Sequence, residues 1–112
     1  MFYGESKFQE QIIQTLRLNR ITVFSVPNGA RLKITQAWKA KREGMISGVS
    51  DLIILLPGAK AIFVEIKNPN GKGRQSPTQK EFEQTVTKLG FEYKIWSKWE
   101  QVQEFIKENT IK

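Results

Sequence analysis

Apolar positions along this chain follow two periods, and the alternation between them predicts the elements. From Gly4 to Leu18, Phe8, Ile12, Ile13 and Leu16 fall on one stripe at helical spacing, which predicts a helix. Ile21 to Val26 is a β-branched and aromatic run, expected as an edge or second strand and closed by the turn residues Pro27-Asn28-Gly29. Ala30 to Gly44 has the weakest pattern. Thr35 is its candidate cap for a helix over Gln36 to Glu43, with Gly44 as the stop. Two strand-length runs follow, Leu52 to Leu56 and Ala61 to Lys67, separated by a Pro57-Gly58 break. The first is apolar throughout, as expected of a strand covered on both faces. The second puts Ile62, Val64 and Ile66 on one face and Phe63, Glu65 and Lys67 on the other.

A polar, glycine-rich loop covers Asn68 to Gln75. Ser76, Pro77 and Gln79 then read as N-cap, N1 and N3 of a capping box, opening a helix whose buried stripe is Phe82, Val86 and Leu89 and whose stop is Gly90. Phe91 to Trp96 is another strand. Ser97 or Lys98 opens a last helix to about Glu108, burying Val102, Phe105 and Ile106. The order predicts an α/β fold with a mixed central β-sheet flanked by helices. At 112 residues the chain is expected to be one domain, 1–112.

Composition narrows the chemistry. The chain has no cysteine and no histidine. Disulfides, thiolate or imidazole metal sites, and histidine-based catalysis are therefore excluded, and any metal must be held by oxygen. Met1 to Gln14 has no apolar core segment of the signal-peptide kind, and no run approaches a membrane span, so the expectation is a cytoplasmic protein with no membrane partner; a bacterial or phage-infected host cell is the expected setting, although composition does not carry it. Lysine and arginine number 18 against 11 acids, a net charge of +7 that points to a polyanionic partner, although many small soluble proteins are also basic. Arg31, Lys33, Lys39, Lys41 and Arg42, interleaved with Trp38, form the most basic stretch. Together with Lys72 and Arg74 in the later loop, they are the candidate nucleic-acid contacts.

Asp51 opens one strand, and Glu65 and Lys67 end the next. If the two strands pair as a hairpin, all three reach one edge of the sheet. Paired carboxylates there suit Mg²⁺, and a neighbouring lysine suits a water or developing charge in phosphodiester hydrolysis. The spacing alone serves equally as a strand start and a solvated strand face. Glu5 lies at the centre of the first helix's apolar stripe, where it either points into a site or serves the helix dipole. Glu10 is the substitute acid. Gln79 lies on the buried face of its helix, toward Lys67.

Taken in order, Glu5, Gly48-Val49-Ser50-Asp51, Glu65-Ile66-Lys67 and Gln79 resemble the virus-type replication-repair nuclease (VRR-NUC) branch of the PD-(D/E)XK superfamily. Ser50 stands where many members have proline. The resemblance implies a restriction-endonuclease-like fold and a Mg²⁺- or Mn²⁺-dependent endodeoxyribonuclease. It implies metal ligation by Asp51, Glu65 and the Ile66 carbonyl, with Glu5 joining directly or through water. Lys67 would position or activate the attacking water, and Gln79 would support Lys67 or that water. Stand-alone members resemble archaeal Holliday-junction resolvases, which implies a homodimer acting on branched DNA. A nuclease for flaps or damaged ends, and a non-catalytic nucleic-acid-binding module, stay open as alternatives.

Overall fold

A computed structural model of the chain describes residues 4–27, 33–71 and 73–110. Its elements are α1 (Gly4–Leu18), β1 (Thr22–Ser25), α2 (Ile34–Arg42), β2 (Leu52–Leu56), β3 (Lys60–Ile66), α3 (Pro77–Lys88), β4 (Glu92–Trp96) and α4 (Trp99–Thr110). The strands lie side by side in chain order, so β1 and β4 are the edges. β1–β2 and β2–β3 pair antiparallel, and β3–β4 pair parallel. A three-residue turn suffices between the antiparallel β2 and β3. The parallel pair needs a crossover, and α3 supplies it. The sheet is mixed and flanked by helices, as the pattern of the sequence predicts.

One face of the sheet carries the core. Val23, Leu52, Ile54, Ile62, Val64, Ile66 and Trp96 meet Phe8, Ile12 and Leu16 of α1 and Val102 and Phe105 of α4. α1 ends without glycine or proline. Arg20 takes the left-handed conformation (φ 62°), while Arg20 N–H donates to the Arg17 carbonyl and Ile21 N–H to the Leu16 carbonyl. This is the Schellman geometry, and its apolar pair, Leu16 and Ile21, is buried in the same core. α3 ends in the same way at Gly90 (φ 94°), with Gly90 N–H on Thr87 and Phe91 N–H on Val86.

The other face is only half covered. Phe82 of α3 packs edge-on against Phe63 (5.5 Å between centroids) and Tyr93 (6.5 Å), and Phe91 does the same to Phe63 at 5.5 Å. That cover lies over β3 and β4. β2 is therefore not sealed on both sides as expected: Leu52 and Ile54 are fully buried, whereas Leu55 and its diagonal neighbour Phe24 on β1 are exposed. Leu89 departs from its expected place too. The helix stops at Lys88, and Leu89 is the exposed cap residue beyond the last turn facing the sheet. α2 starts earlier than predicted. Lys33 is the N-cap and Thr35 sits inside the first turn, because the Gln36 side chain reaches back to accept from Lys33 N–H at 3.1 Å. No helix among the described residues is long and apolar enough to cross a membrane.

Phe8→Ala opens a cavity in the fully buried cluster and is expected to cost about 3–5 kcal/mol in urea unfolding, whereas Leu89→Ala stays within about 0.5 kcal/mol of wild type. Equal effects of the two would sink this assignment of core and surface.

Candidate active site

Asp51 sits one residue before β2, and continuing the register Leu52↔Val64 places it opposite Glu65. The pleat then sends both side chains to the face that carries α3. Asp51 is braced across the ladder, its Oδ2 accepting from Ile66 N–H at 2.7 Å. Glu65 is only 1% exposed. Its Oε1 accepts from the Tyr93 hydroxyl at 3.1 Å and its Oε2 from Gln79 Nε2 at 2.5 Å. Lys67 Nζ lies 3.5 Å from Glu65 Oε2 and donates to Gln79 Oε1 (3.0 Å) and the Arg74 carbonyl (2.9 Å). Among the described residues no buried side-chain polar atom lacks a partner.

Gln79 holds the two charges together. Ser76 caps α3, with its Oγ accepting from Gln79 N–H at 3.2 Å, and Gln79 Oε1 accepts from Ser76 N–H at 2.8 Å. The capping box and the contact with the site are thus the same side chain in the same rotamer. Gly48 lets the loop before β2 come this close. It has φ +82°, and a Cβ there would stand 2.2 Å from the Thr78 carbonyl oxygen. No side chain fits between that loop and the first turn of α3.

The electrostatics leave a deficit of positive charge. Burial pushes the Asp51 carboxyl up, against the pull of the Ile66 N–H and the Lys67 charge. Burial and the facing Asp51 push Glu65 up to about 7, against Lys67 and Tyr93. Burial and the Glu65 charge push the Tyr93 hydroxyl up in turn, so it stays a donor. Two acids therefore face one lysine. Each acid keeps acceptor capacity beyond the bonds named. The donors are hard oxygens, and among the described residues no group of three or more acids is placed to hold a metal ion. Two carboxylates completed by water and phosphate oxygen is the usual Mg²⁺ pattern, so the residues present fit such an ion.

The remaining candidates are spread differently. Glu5 is exposed in the first turn of α1, outside any described cluster of three acids, although the sequence places it on the apolar stripe. Glu10 is exposed and pairs with Lys7 at 3.7 Å. Lys41 lines a cleft of about 430 Å³ shared with Asp51, Gln79 and Thr78. Lys33, Arg42 and Arg74 are exposed, and Lys39 is tied to Glu43 at 2.8 Å. Arg31 and Lys72 lie outside the described residues.

The sequence reading missed Tyr93 and, behind it, Gln75, whose Nε2 donates to the Tyr93 hydroxyl (3.3 Å) and to Glu83 (2.9 Å). Tyr93 stands between the charged Glu92 and Lys94 in β4, so no local pattern in the sequence singled it out. Only the parallel register Phe63↔Tyr93 brings it under Glu65.

The family model of the VRR-NUC domain matches residues 4–97. This chain belongs to the VRR-NUC family. It is a nuclease domain, and nucleases of this family generally use divalent metals. One solved VRR_NUC domain protein superposes with a TM-score of 0.74 at 23% identity, over 97% of this chain and 89% of its own. A second solved VRR_NUC domain gives 0.65 at 19% identity, over 92% and 94%. Both support the fold. No curated protein matches this VRR-NUC chain.

The raised Glu65 carries a linkage. Between its ordinary value of 4.5 and about 7 the folded state holds more protons than the unfolded one. Metal-free protein is therefore expected to lose stability as pH rises through that window, with a slope of at most about 1.4 kcal/mol per pH unit from this group. Urea melts in EDTA from pH 4.5 to 7.5 check it. Glu65→Gln should flatten the slope, and an unchanged slope in that variant contradicts the assignment.

Proposed function

We propose that this chain is a Mg²⁺- or Mn²⁺-dependent endodeoxyribonuclease that cuts branched DNA, four-way junctions foremost, as a homodimer. The observation that carries the reading is the Asp51–Glu65 carboxylate pair facing across β2 and β3, with Lys67 fixed beside it. Asp51, Glu65 and the Ile66 carbonyl would hold the ion, and Glu5 would join through water. When bound, such an ion polarises the scissile phosphate and stabilises the leaving oxygen.

The chain's own residues do the rest. Lys67 is locked by Gln79 and the Arg74 carbonyl, leaving its cationic head a donor aimed along Glu65, where it can hold the attacking water or meet developing charge. Gln79 fixes both partners at once. Lys33, Lys41, Arg42 and Arg74, with Arg31 and Lys72 of the sequence, would take phosphates and bring a salt-dependent affinity.

The homodimer reading draws on the uncovered half of the sheet. Phe24, opposite Ile53, and Leu55, opposite Thr22, are exposed as diagonal neighbours on the same face of β1 and β2, and a second copy would bury them. Two copies would offer two sites to two strands of a junction.

A labelled four-way junction and a linear duplex of the same sequence, each with Mg²⁺, Mn²⁺ and EDTA, test the activity. Paired metal-dependent cuts in the junction are expected, with Lys67→Ala slower by at least about 10²-fold. Binding without cutting under every metal condition would leave a non-catalytic module. Sedimentation tests the assembly. Wild type is expected as a dimer and Leu55→Lys as a monomer, and a wild-type monomer at tens of micromolar rules the dimer out.

A further inference from the structure

The half-open cleft beside Asp51 has a composition that phosphate binding does not explain. Its walls include Pro27, Ala37, Met45 and Ile46, with Lys41 and Thr78 among the polar positions, and its volume is about 430 Å³. α2, which forms one wall, buries none of its residues. At 100° per residue, Ala37, Lys41, Ile34, Trp38 and Arg42 follow one another around its surface. The cleft-lining Ala37 and Lys41 thus border an apolar ridge of Ile34 and Trp38, one turn apart, with Arg42 on the far side. Ile34 is 69% exposed, Trp38 62%, and Ile46 on the facing loop 64%.

Three large apolar side chains this open, Ile46 lining the cleft and Ile34 and Trp38 on the ridge that borders it, gain little from an intact duplex. Such a duplex presents phosphates and sugars outward and keeps its base faces stacked. A second copy of this chain fits poorly, because Lys33, Lys41 and Arg42 flank the ridge and would meet their own charge. A polyanion with a free aromatic face satisfies both features. The cations take the backbone, and Trp38 takes the base.

We propose that the cleft between α2 and α3 receives an unstacked nucleobase next to the scissile phosphate, with Trp38 and Ile34 as the stacking platform at its rim. The proposal rests on the nuclease reading for its scissile phosphate and adds a selection rule. Duplex that already contains an unpaired or easily extruded base engages both the cations and the ridge, whereas perfect duplex engages the cations alone. The cost of unstacking is smallest for bases already out of the helix.

Binding in EDTA keeps cleavage out of the test. The probes are duplexes carrying one 2-aminopurine, either paired or extruded as a single-base bulge. The bulged probe is expected to bind more tightly and to lose fluorescence on binding. Trp38→Ala should lower the bulge-to-duplex affinity ratio by about five- to hundredfold, and Trp38→Phe should restore most of it. The slope of log affinity against log salt should stay unchanged in Trp38→Ala, which removes no charge, and fall by about one in Lys41→Ala. Trp38 packs into no core, so the variant keeps the fold. An unchanged ratio in Trp38→Ala overturns the proposal. Metal-dependent cleavage by wild type is scored separately. Cleavage without a bulge preference sinks the base cleft alone, and a preference without cleavage sinks the nuclease reading alone.

Discussion

A carboxylate inside a sheet is costly to bury, and the site is built around the residues that make Glu65 tolerable. An uncompensated charge would cost many kcal/mol at such a position or would simply take up a proton. Glu65 receives hydrogen bonds at both oxygens, from Gln79 and Tyr93, and a cation at 3.5 Å from Lys67. Burial and the facing Asp51 charge outweigh that compensation and push its carboxyl up to about 7. Gln79 is the member with the least freedom. Its amide nitrogen donates to Glu65 and its oxygen faces two obligate donors, Lys67 Nζ and Ser76 N–H, so a single amide orientation satisfies the network. The first turn of α3, with Ser76 as cap and Pro77 as first residue, is therefore part of the site as much as the strands are.

The two faces of the sheet divide the work. α1 and α4 cover one face with a continuous apolar core, and that side has the ordinary properties of a stable interior. α3 covers half of the other face, where aromatic rings at Phe63, Phe82 and Tyr93 give way, at the end of the sheet, to Asp51, Glu65 and Lys67. Tyr93 joins the two regimes. Its ring belongs to the aromatic layer and its hydroxyl to the charged one. The rest of that face stays open, which gives the molecule its exposed apolar positions.

Much of this was legible in the sequence because the governing signals were local. α1 and the Ser76-Pro77-Gln79 cap follow from periodicity and side-chain chemistry within a few residues, and the β2–β3 hairpin follows from a turn between two apolar runs. The meeting of Asp51, Glu65, Lys67 and Gln79 follows once that hairpin and cap are granted. What escaped were features set by register and coverage. Tyr93 needs the parallel phase of β4 on β3 to reach Glu65. Leu55 looks buried in a run of five apolar residues until the short reach of α3 is known. Leu89 falls on the apolar stripe of an ideal helix that in fact ends one residue before it. Thr35 looked like a better cap than Lys33 because a glutamine reaching backwards leaves no mark as clear as a hydroxyl. Glu5 looked stripe-centred on an ideal wheel, yet the first turn of α1 lies open to solvent.

The contacts that assemble the site also have a simple spacing along the chain. Asp51 meets Ile66 across 15 residues, Glu65 meets Gln79 across 14, Lys67 meets Gln79 across 12, and Tyr93 closes on Glu65 across 28. All lie within one unbroken stretch, β2 through β4, and none needs α1 or α4. Loop-closure entropy rises slowly with length, so these are among the cheaper tertiary contacts a chain can make. Assembly of the charged cluster is therefore a local event in topological terms, and the long-range closure is left to the terminal helices on the opposite side. The chemistry and the global fastening of the fold are thus carried by different loops, and the search each requires of the unfolded chain is largely separate.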